Sequence, residues 1–376
     1  MPDVSSNAPA DVRLWVSIDQ HKLSIVAATL PPGGGAPEVH RIETTERAIR
    51  RFIDRLGGPE GLAVCYEAGP GGFDLLRLLT RVGVACDVVA PSLIPVRAGD
   101  RVKTDRRDAK KLVRLFRAGE LSFVQAPTPE TEGLRDLMRC REDLRCARTA
   151  ARHRVSKQLL RHGLIFREGK TQWTKLHRAW IARQRLGDEL AHQALEQMLV
   201  HLDGLDRQID LLDRNLEDIA EGERWREPVT ILRRFKGVST RTALGLIAEI
   251  GDFARFSSPR ELCSWLGIVP SEYSSGDQRH RGHITKAGNS HARRLLIETA
   301  WSYRHAPRLR DRGPVADQRA WQAQVRLHHR YRHLTDHGKR STIATVAVAR
   351  ELTGFLWAAM TDQPLTILQP QEAAAT

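Results

Sequence analysis

Eight apolar residues place the strongest constraint on the fold. Leu195, Met198, Leu202, Leu205, Ile209, Leu212, Leu216 and Ile219 recur at spacings of 3-4-3-4-3-4-3. A helix brings such positions onto one seam, the a/d stripe of a heptad repeat. The stripe predicts a coiled coil or one helix of an intrachain hairpin, and it offers a surface for oligomerisation. Gly204 inside it lowers helix propensity by roughly 1 kcal/mol relative to Ala, so some irregularity is expected there. The surrounding segment 131–222 reads as almost wholly helical. Ahead of the seam, residues 135–161 carry nine Arg/Lys against three acids, a net of +6.

The first third of the chain has a different rhythm. Residues 14–18, 24–30, 62–66 and 84–90 are strand-like, and 31–37 is a Pro/Gly loop. Residues 45–56, 72–82 and 105–118 are helix-like, the first two closed by Gly57 and Gly83. Strands alternating with helices predict an α/β domain. It ends at the linker Pro127-Thr128-Pro129. The expected organisation is therefore 11–127 as an α/β domain, 128–225 as a helical segment and 226–365 as a mostly helical C-terminal domain. Residues 1–10 read as a loose tail, and an apolar helix is expected near 341–360. No stretch approaches the ~20 apolar residues of a membrane span, and no membrane partner is expected.

Composition narrows the function. The 376 residues carry a net charge of +14, with 28% charged and 41% hydrophobic residues. That balance favours a polyanionic partner such as nucleic acid. The five cysteines have no CxxC spacing, which argues against structural zinc and for a reducing cytoplasm.

Two apolar runs end in a carboxylate, Asp19 after 14–18 and Glu67 after 62–66. Two further acids, Asp105 and Asp108, stand at i, i+3 on the expected helix and share a face. Acids at neighbouring strand ends and on one helix face can converge on one point, as metal-dependent phosphoryl transfer requires; magnesium prefers such oxygen ligands. Residues 97–117 carry nine Arg/Lys, among them Arg97, Lys103, Arg106 and Arg107, against three acids. A net of +6 beside an acidic cluster fits a polyanion held against bound metal. The stretch Gly69-Pro70-Gly71-Gly72 reads as a tight strand-to-helix turn.

A second constellation lies downstream. Residues 232–243 resemble a helix-hairpin-helix, with Ser239 in place of the usual second glycine. Residues 267–276 form a glycine-punctuated, serine-rich loop, followed by Arg279, Arg281 and Lys286. Residues 279–310 hold eight Arg/Lys and one acid, a net of +7. A serine here could attack a phosphodiester with those cations stabilising the phosphate charge; spacing alone leaves Ser271, Ser274 and Ser275 open. His328, His329, His333 and His337 sit among Arg and Lys, which favours nucleic-acid contact over metal.

These motifs together resemble the DEDD transposases of the IS110 insertion-sequence family, the bridge-RNA-guided recombinases. The N-terminal marks are Ser17-Ile18-Asp19, Tyr66-Glu67-Ala68-Gly69, Val89-Ala90-Pro91-Ser92 and Lys103 through Ala109. The C-terminal marks are Gly237 through Gly251, Gly267 through Pro270, Tyr273-Ser274-Ser275-Gly276 and Ile284 through Asn289. The resemblance implies a RuvC-like, RNase H-type domain, a coiled-coil segment and a smaller domain carrying the nucleophile. It implies Asp19, Glu67, Asp105 and Asp108 as Mg2+ ligands and Ser275 as the serine that forms a covalent link to DNA, the acids coming from another subunit. It further implies a structured guide RNA that pairs with double-stranded donor and target DNA, and a homo-oligomer built as a dimer of dimers. The setting would be the bacterial cytoplasm, at the nucleoid. Two readings compete with it: a metal-only RuvC-like nuclease or resolvase in which Ser275 is structural, and a non-catalytic nucleic-acid scaffold. The four intact acids argue against the scaffold.

Overall fold

A computed structural model describes residues 6–95, 104–275, 278–308 and 318–362. The chain divides into two compact units with the boundary between Pro127 and Thr128.

The first unit is built on a five-stranded sheet. Its elements are β1 (Leu14–Gln20), β2 (Ser24–Leu30), β3 (Glu38–Glu43), α1 (Glu46–Arg55), β4 (Leu62–Glu67), α2 (Asp74–Arg81), β5 (Ala85–Val89) and α3 (Asp105–Arg117). The spatial order is β3-β2-β1-β4-β5. β2 runs antiparallel to both its neighbours, while β4 and β5 run parallel to β1.

Both faces of the sheet are covered. Leu62, Val64 and Tyr66 pack with Phe52, Ile53, Leu75 and Leu79 from α1 and α2. The alternate residues Ala63 and Cys65 meet Leu112 and Phe116 of α3. A strand covered on both sides must be apolar at every position, which is why β4 reads as an unbroken run. The edge strand β3 was not anticipated. Its only buried side chain is Ile42, so Glu38–Glu43 carries no continuous apolar signal. Of the loose tail expected over 1–10, residues 1–5 lie outside the described residues, and Ser6 and Asn7 are tied down: the Ser6 hydroxyl, the Asn7 backbone N–H and the Asn7 side-chain amide all donate to the buried Asp87 carboxylate.

The second unit begins with two long helices, α4 (Pro129–Arg161) and α6 (Glu189–Glu221), with the short α5 (Lys175–Ala182) between them. Leu134 shares a core with Leu216 and Ala220, Ala151 with Leu202 and Leu205, and Val155 and Leu159 with Leu195. The partner number falls as the α4 number rises, so the heptad stripe closes an antiparallel intrachain hairpin. Gly204 leaves α6 unbroken, with open space where a side chain would be.

Beyond the hairpin come α7 (Glu223–Arg233), α8 (Thr240–Ile250), α9 (Pro259–Trp265), β6 (Pro270–Ser275), β7 (Gln278–Ile284), α10 (Ser290–Ala300), α11 (Gln318–Asp336) and α12 (Ser341–Thr361). The segment expected to be a glycine-punctuated loop is thus a two-stranded antiparallel hairpin. By length and composition α12 does meet the requirement for a membrane span, contrary to expectation. Its apolarity has another cause: Val348, Leu352, Phe355, Leu356 and Trp357 lie in the core against α7 to α10.

Candidate active site

Strand alternation aims the first acids. Ser17 and Asp19 stand two apart on β1 and so share a face. The Ser17 hydroxyl donates to the Ala109 carbonyl at 2.7 Å, so that face is the one α3 covers. On β4, Cys65 packs against α3, and Glu67 follows it by two. The parallel pairing Ile18↔Tyr66 brings Asp19 and Glu67 to matching carboxyl ends of adjacent strands, the place where open α/β sheets bind ligands.

α3 delivers the other two. Its N-cap Thr104 accepts from the Arg107 N–H, and Asp105 and Asp108 occupy the first turn. There they also face the positive end of the helix dipole. Glu67 is exposed and Asp108 half-buried.

A residue that sequence reasoning missed completes the cluster. His21 follows β1, held in a tight turn by its own N–H to the Ser24 carbonyl at 2.9 Å. Its Nε2 lies 3.4 Å from Asp19 Oδ2 and 3.2 Å from Asp105 Oδ2. One ligand atom from each of Asp19, His21 and Asp105 falls within 4.8 Å of the others. Among the described residues it is the one place where three such donors converge, and Glu67 and Asp108 stand outside it. The available signal was the spacing Asp19-Gln20-His21, which returns the histidine to the aspartate's side of an extended chain. Two carboxylates and an imidazole fit a divalent cation.

The setting is basic. Arg106 and Arg107 are exposed on the first turn of α3, whereas Arg97 and Lys103 lie outside the described residues. The glycine stretch after Glu67 forms the turn expected of it. The Gly72 N–H reaches the Gly69 carbonyl at 3.0 Å, and a Cβ on Gly71 would meet Gln20 Oε1 at 2.8 Å.

The second unit carries the candidate nucleophile. Ser275 is the last residue of β6, paired in register with Gln278; Arg279 and Arg281 on β7 stand opposite Ser274 and Glu272. The next residue, Gly276, lies outside the described residues. Of the competing serines, Ser271 is committed elsewhere: its hydroxyl donates to the His283 carbonyl across the hairpin at 3.0 Å.

The base of the hairpin is a backbone crossing. A Cβ on Gly267 would sit 1.9 Å from the Ala287 oxygen, and one on Gly288 would sit 1.9 Å from the Trp265 oxygen. Both glycines have positive φ, as does the exposed Lys286 between them, whose N–H donates to the Gly267 carbonyl at 3.1 Å. Asn289 then caps α10 and also donates to Glu249 at 2.7 Å.

Glu249 is buried with Arg139 and Arg135 beside it. Burial pushes its carboxyl up, but the hydrogen bonds from Arg139 and Asn289 and the charges of both arginines prevail and hold it below its ordinary value. In the hairpin-like α7–α8 turn, Gly237 passes against Ser302 and Thr299. Ser239, the departure from the usual glycine, is the N-cap of α8. A concavity of about 310 Å³ beside that cap is lined by Arg139, Arg141, Arg145, Arg241 and Arg294.

Among the described residues, the one three-donor group does not include the four histidines near the C-terminal end. His328 and His337 bond to the backbone oxygens of Tyr303 and His333.

Comparison with known proteins fits both units. Residues 16–163 match the DEDD transposase family of IS110 elements, and residues 229–313 match the family described as Transposase IS116/IS110/IS902. The y4qE protein of Sinorhizobium fredii, a transposase by name, is 41% identical over 364 residues, covering 93% of this chain and 90% of that one. The transposase for insertion sequence element IS1533 of Leptospira borgpetersenii is 30% identical over 347 residues, covering 87% of this chain and 98% of the relative. The chain belongs to the IS110/IS116/IS902 family of insertion-sequence transposases, enzymes that cut and rejoin DNA.

Proposed function

We propose that this transposase excises and inserts its element site-specifically by pairing a carboxylate-held Mg2+ site with a serine nucleophile, Ser275, under the direction of a structured bridge RNA. The observation that carries the reading is the convergence of Asp19 and Asp105 at the carboxyl end of β1. Glu67 ends the adjacent strand β4, and Asp108 shares the first turn of α3 with Asp105, which supports a role for both beside that point.

The first unit is a RuvC-like, RNase H-type domain in this reading. The order β3-β2-β1-β4-β5, in which β2 alone runs against the rest, supports it. The remainder divides by role into a helical, coiled-coil-like segment (128–225) and a nucleophile-bearing domain (226–365). Exposed Leu160, Leu190, Val200 and Leu211 along the α4–α6 hairpin support self-association, with a dimer of dimers as the active assembly.

Asp19, Glu67, Asp105 and Asp108 would hold the cation. When bound, it supplies Lewis-acid stabilisation of charge on the phosphate oxygens. Ser275 Oγ attacks phosphorus as its proton passes to a neighbouring base. The Oγ–P bond forms while a P–O bond to deoxyribose breaks, and the departing oxygen takes a proton. A sugar hydroxyl of the incoming strand then reverses the step, releasing serine and rejoining DNA. Arg279, Arg281 and Lys286 balance the phosphate charge, and Arg97, Lys103, Arg106 and Arg107 hold the backbone near the acids. Target and donor sequences reside in the RNA, as base pairing dictates in other guided systems.

The test is denaturing electrophoresis of purified protein with Mg2+, labelled DNA and the RNA flanking the element, wild type beside Ser275→Ala. Label that stays with wild-type protein and vanishes in the variant is the expected result. Free cleaved DNA in both lanes would replace this reading with a metal-only nuclease in which Ser275 is structural.

A further inference from the structure

We infer that His21 is a metal ligand, giving the four-carboxylate site a nitrogen donor and with it a preference for Mn2+ over Mg2+. The inference rests on the metal reading of the acids proposed above and adds to it a residue outside the DEDD set.

The distances carry the argument. An octahedral ion with ligands at about 2.1 Å places adjacent donor atoms about 3.0 Å apart, by simple geometry from the usual bond length. The spacings from His21 Nε2 to Asp19 Oδ2 and Asp105 Oδ2, 3.4 and 3.2 Å, lie within a few tenths of an ångström of that value. One nitrogen thus sits at ligand spacing from an oxygen on β1 and an oxygen on α3 simultaneously.

The chain geometry explains how. His21 is held by its N–H to the Ser24 carbonyl, and the Thr44 hydroxyl donates to the His21 carbonyl at 2.9 Å. The backbone on which the imidazole is mounted is therefore tied down at both its polar groups. The ring remains 46% exposed, open to an ion arriving from solvent.

The chemical consequence follows from ligand type. Magnesium binds oxygen almost exclusively and gives up its waters reluctantly, whereas imidazole suits the later first-row ions. Mn2+ shares magnesium's preference for carboxylate oxygen but, as a first-row transition ion, tolerates an imidazole better than Mg2+ does, so a nitrogen in this otherwise all-oxygen site tilts it from Mg2+ towards Mn2+.

The experiment uses the full-length protein with Mn2+ as the probe, read by pulsed electron paramagnetic resonance. Wild type is expected to show hyperfine coupling from a directly bound 14N, and His21→Ala to lose that coupling. Titration should show His21→Ala weakening Mn2+ binding about tenfold or more while changing Mg2+ binding little; His21→Asn separates loss of the ring from loss of bulk. Circular dichroism of each variant checks folding. Mn2+ bound with equal affinity and no nitrogen coupling in wild type would overturn the His21 assignment and leave the acids' role standing. No Mn2+ or Mg2+ binding in wild type, unchanged again by Asp19→Ala, would instead remove the metal reading beneath it.

Discussion

Single residues in the second unit fix the base of the β6–β7 hairpin. Gly267 and Gly288 cross with no room for a Cβ on either. Gly288→Ala combines that clash with a positive φ of 87°, strain of order 1–3 kcal/mol before the clash is counted. It is expected to lower the thermal midpoint by several degrees and to abolish the serine–DNA adduct, checked by calorimetry and electrophoresis. Glu249 belongs to the same support. Glu249→Gln leaves the Arg139 and Arg135 charges without their acid and should cost about 2–4 kcal/mol, a figure below the range for fully buried pairs because Arg139 is half-exposed. The folded-state carboxyl titrates below its ordinary 4.5. Its stabilisation is therefore complete above that pH and disappears as pH falls through the lower folded value. Urea melts of wild type and Glu249→Gln should differ most at pH 7 and converge in strong acid.

The elements differ in how openly they announce themselves. β1, β2, β4 and β5 could be seen in advance because sheet faces covered by α1, α2 and α3 demand continuous apolar runs. β3 could not, since one buried isoleucine in six residues is indistinguishable from a loop. β6 and β7 were hidden for a related reason: Pro, Ser, Gly, Arg and His are turn or surface residues, and among the described side chains of the hairpin none is buried. The four acids were legible as punctuation at strand ends and on one helix turn. His21 was not, because a lone histidine after a strand has no periodic signature, and only the folded chain brings Asp105 to it. The connection at the far end of the α4–α6 hairpin yields a prediction of its own. His177 is buried, stacks on Trp180 with 5.7 Å between ring centres and accepts the Trp173 N–H at 2.9 Å. Burial, and then the Arg178 charge, push its pKa below the ordinary 6.5. The neutral ring is the folded form, so stability from this contact is present above pH 6.5 and declines as pH falls toward the lower folded value. Tryptophan fluorescence should shift between pH 8 and pH 5 in wild type, and His177→Gln should remove that transition.

Across the whole molecule, the acids and the serine belong to different compact units, so each can be disabled without unfolding the other. Asp19→Ala and Ser275→Ala are each expected to abolish recombination with an unchanged circular dichroism spectrum and a thermal midpoint close to wild type; a recombination-competent Ser275→Ala would end the nucleophile assignment. The same partition means that a chain deleted for one set still presents the other as a folded object. One dimension then acquires a meaning in DNA units. Each long helix of the antiparallel hairpin has 33 residues, about 50 Å at 1.5 Å per residue. That is the length of roughly fifteen base pairs at 3.4 Å each. A stiff strut of that span would set whatever its tip grips about one and a half helical turns from whatever its base grips, and inserting or removing one heptad in each helix would move that footprint by about three base pairs.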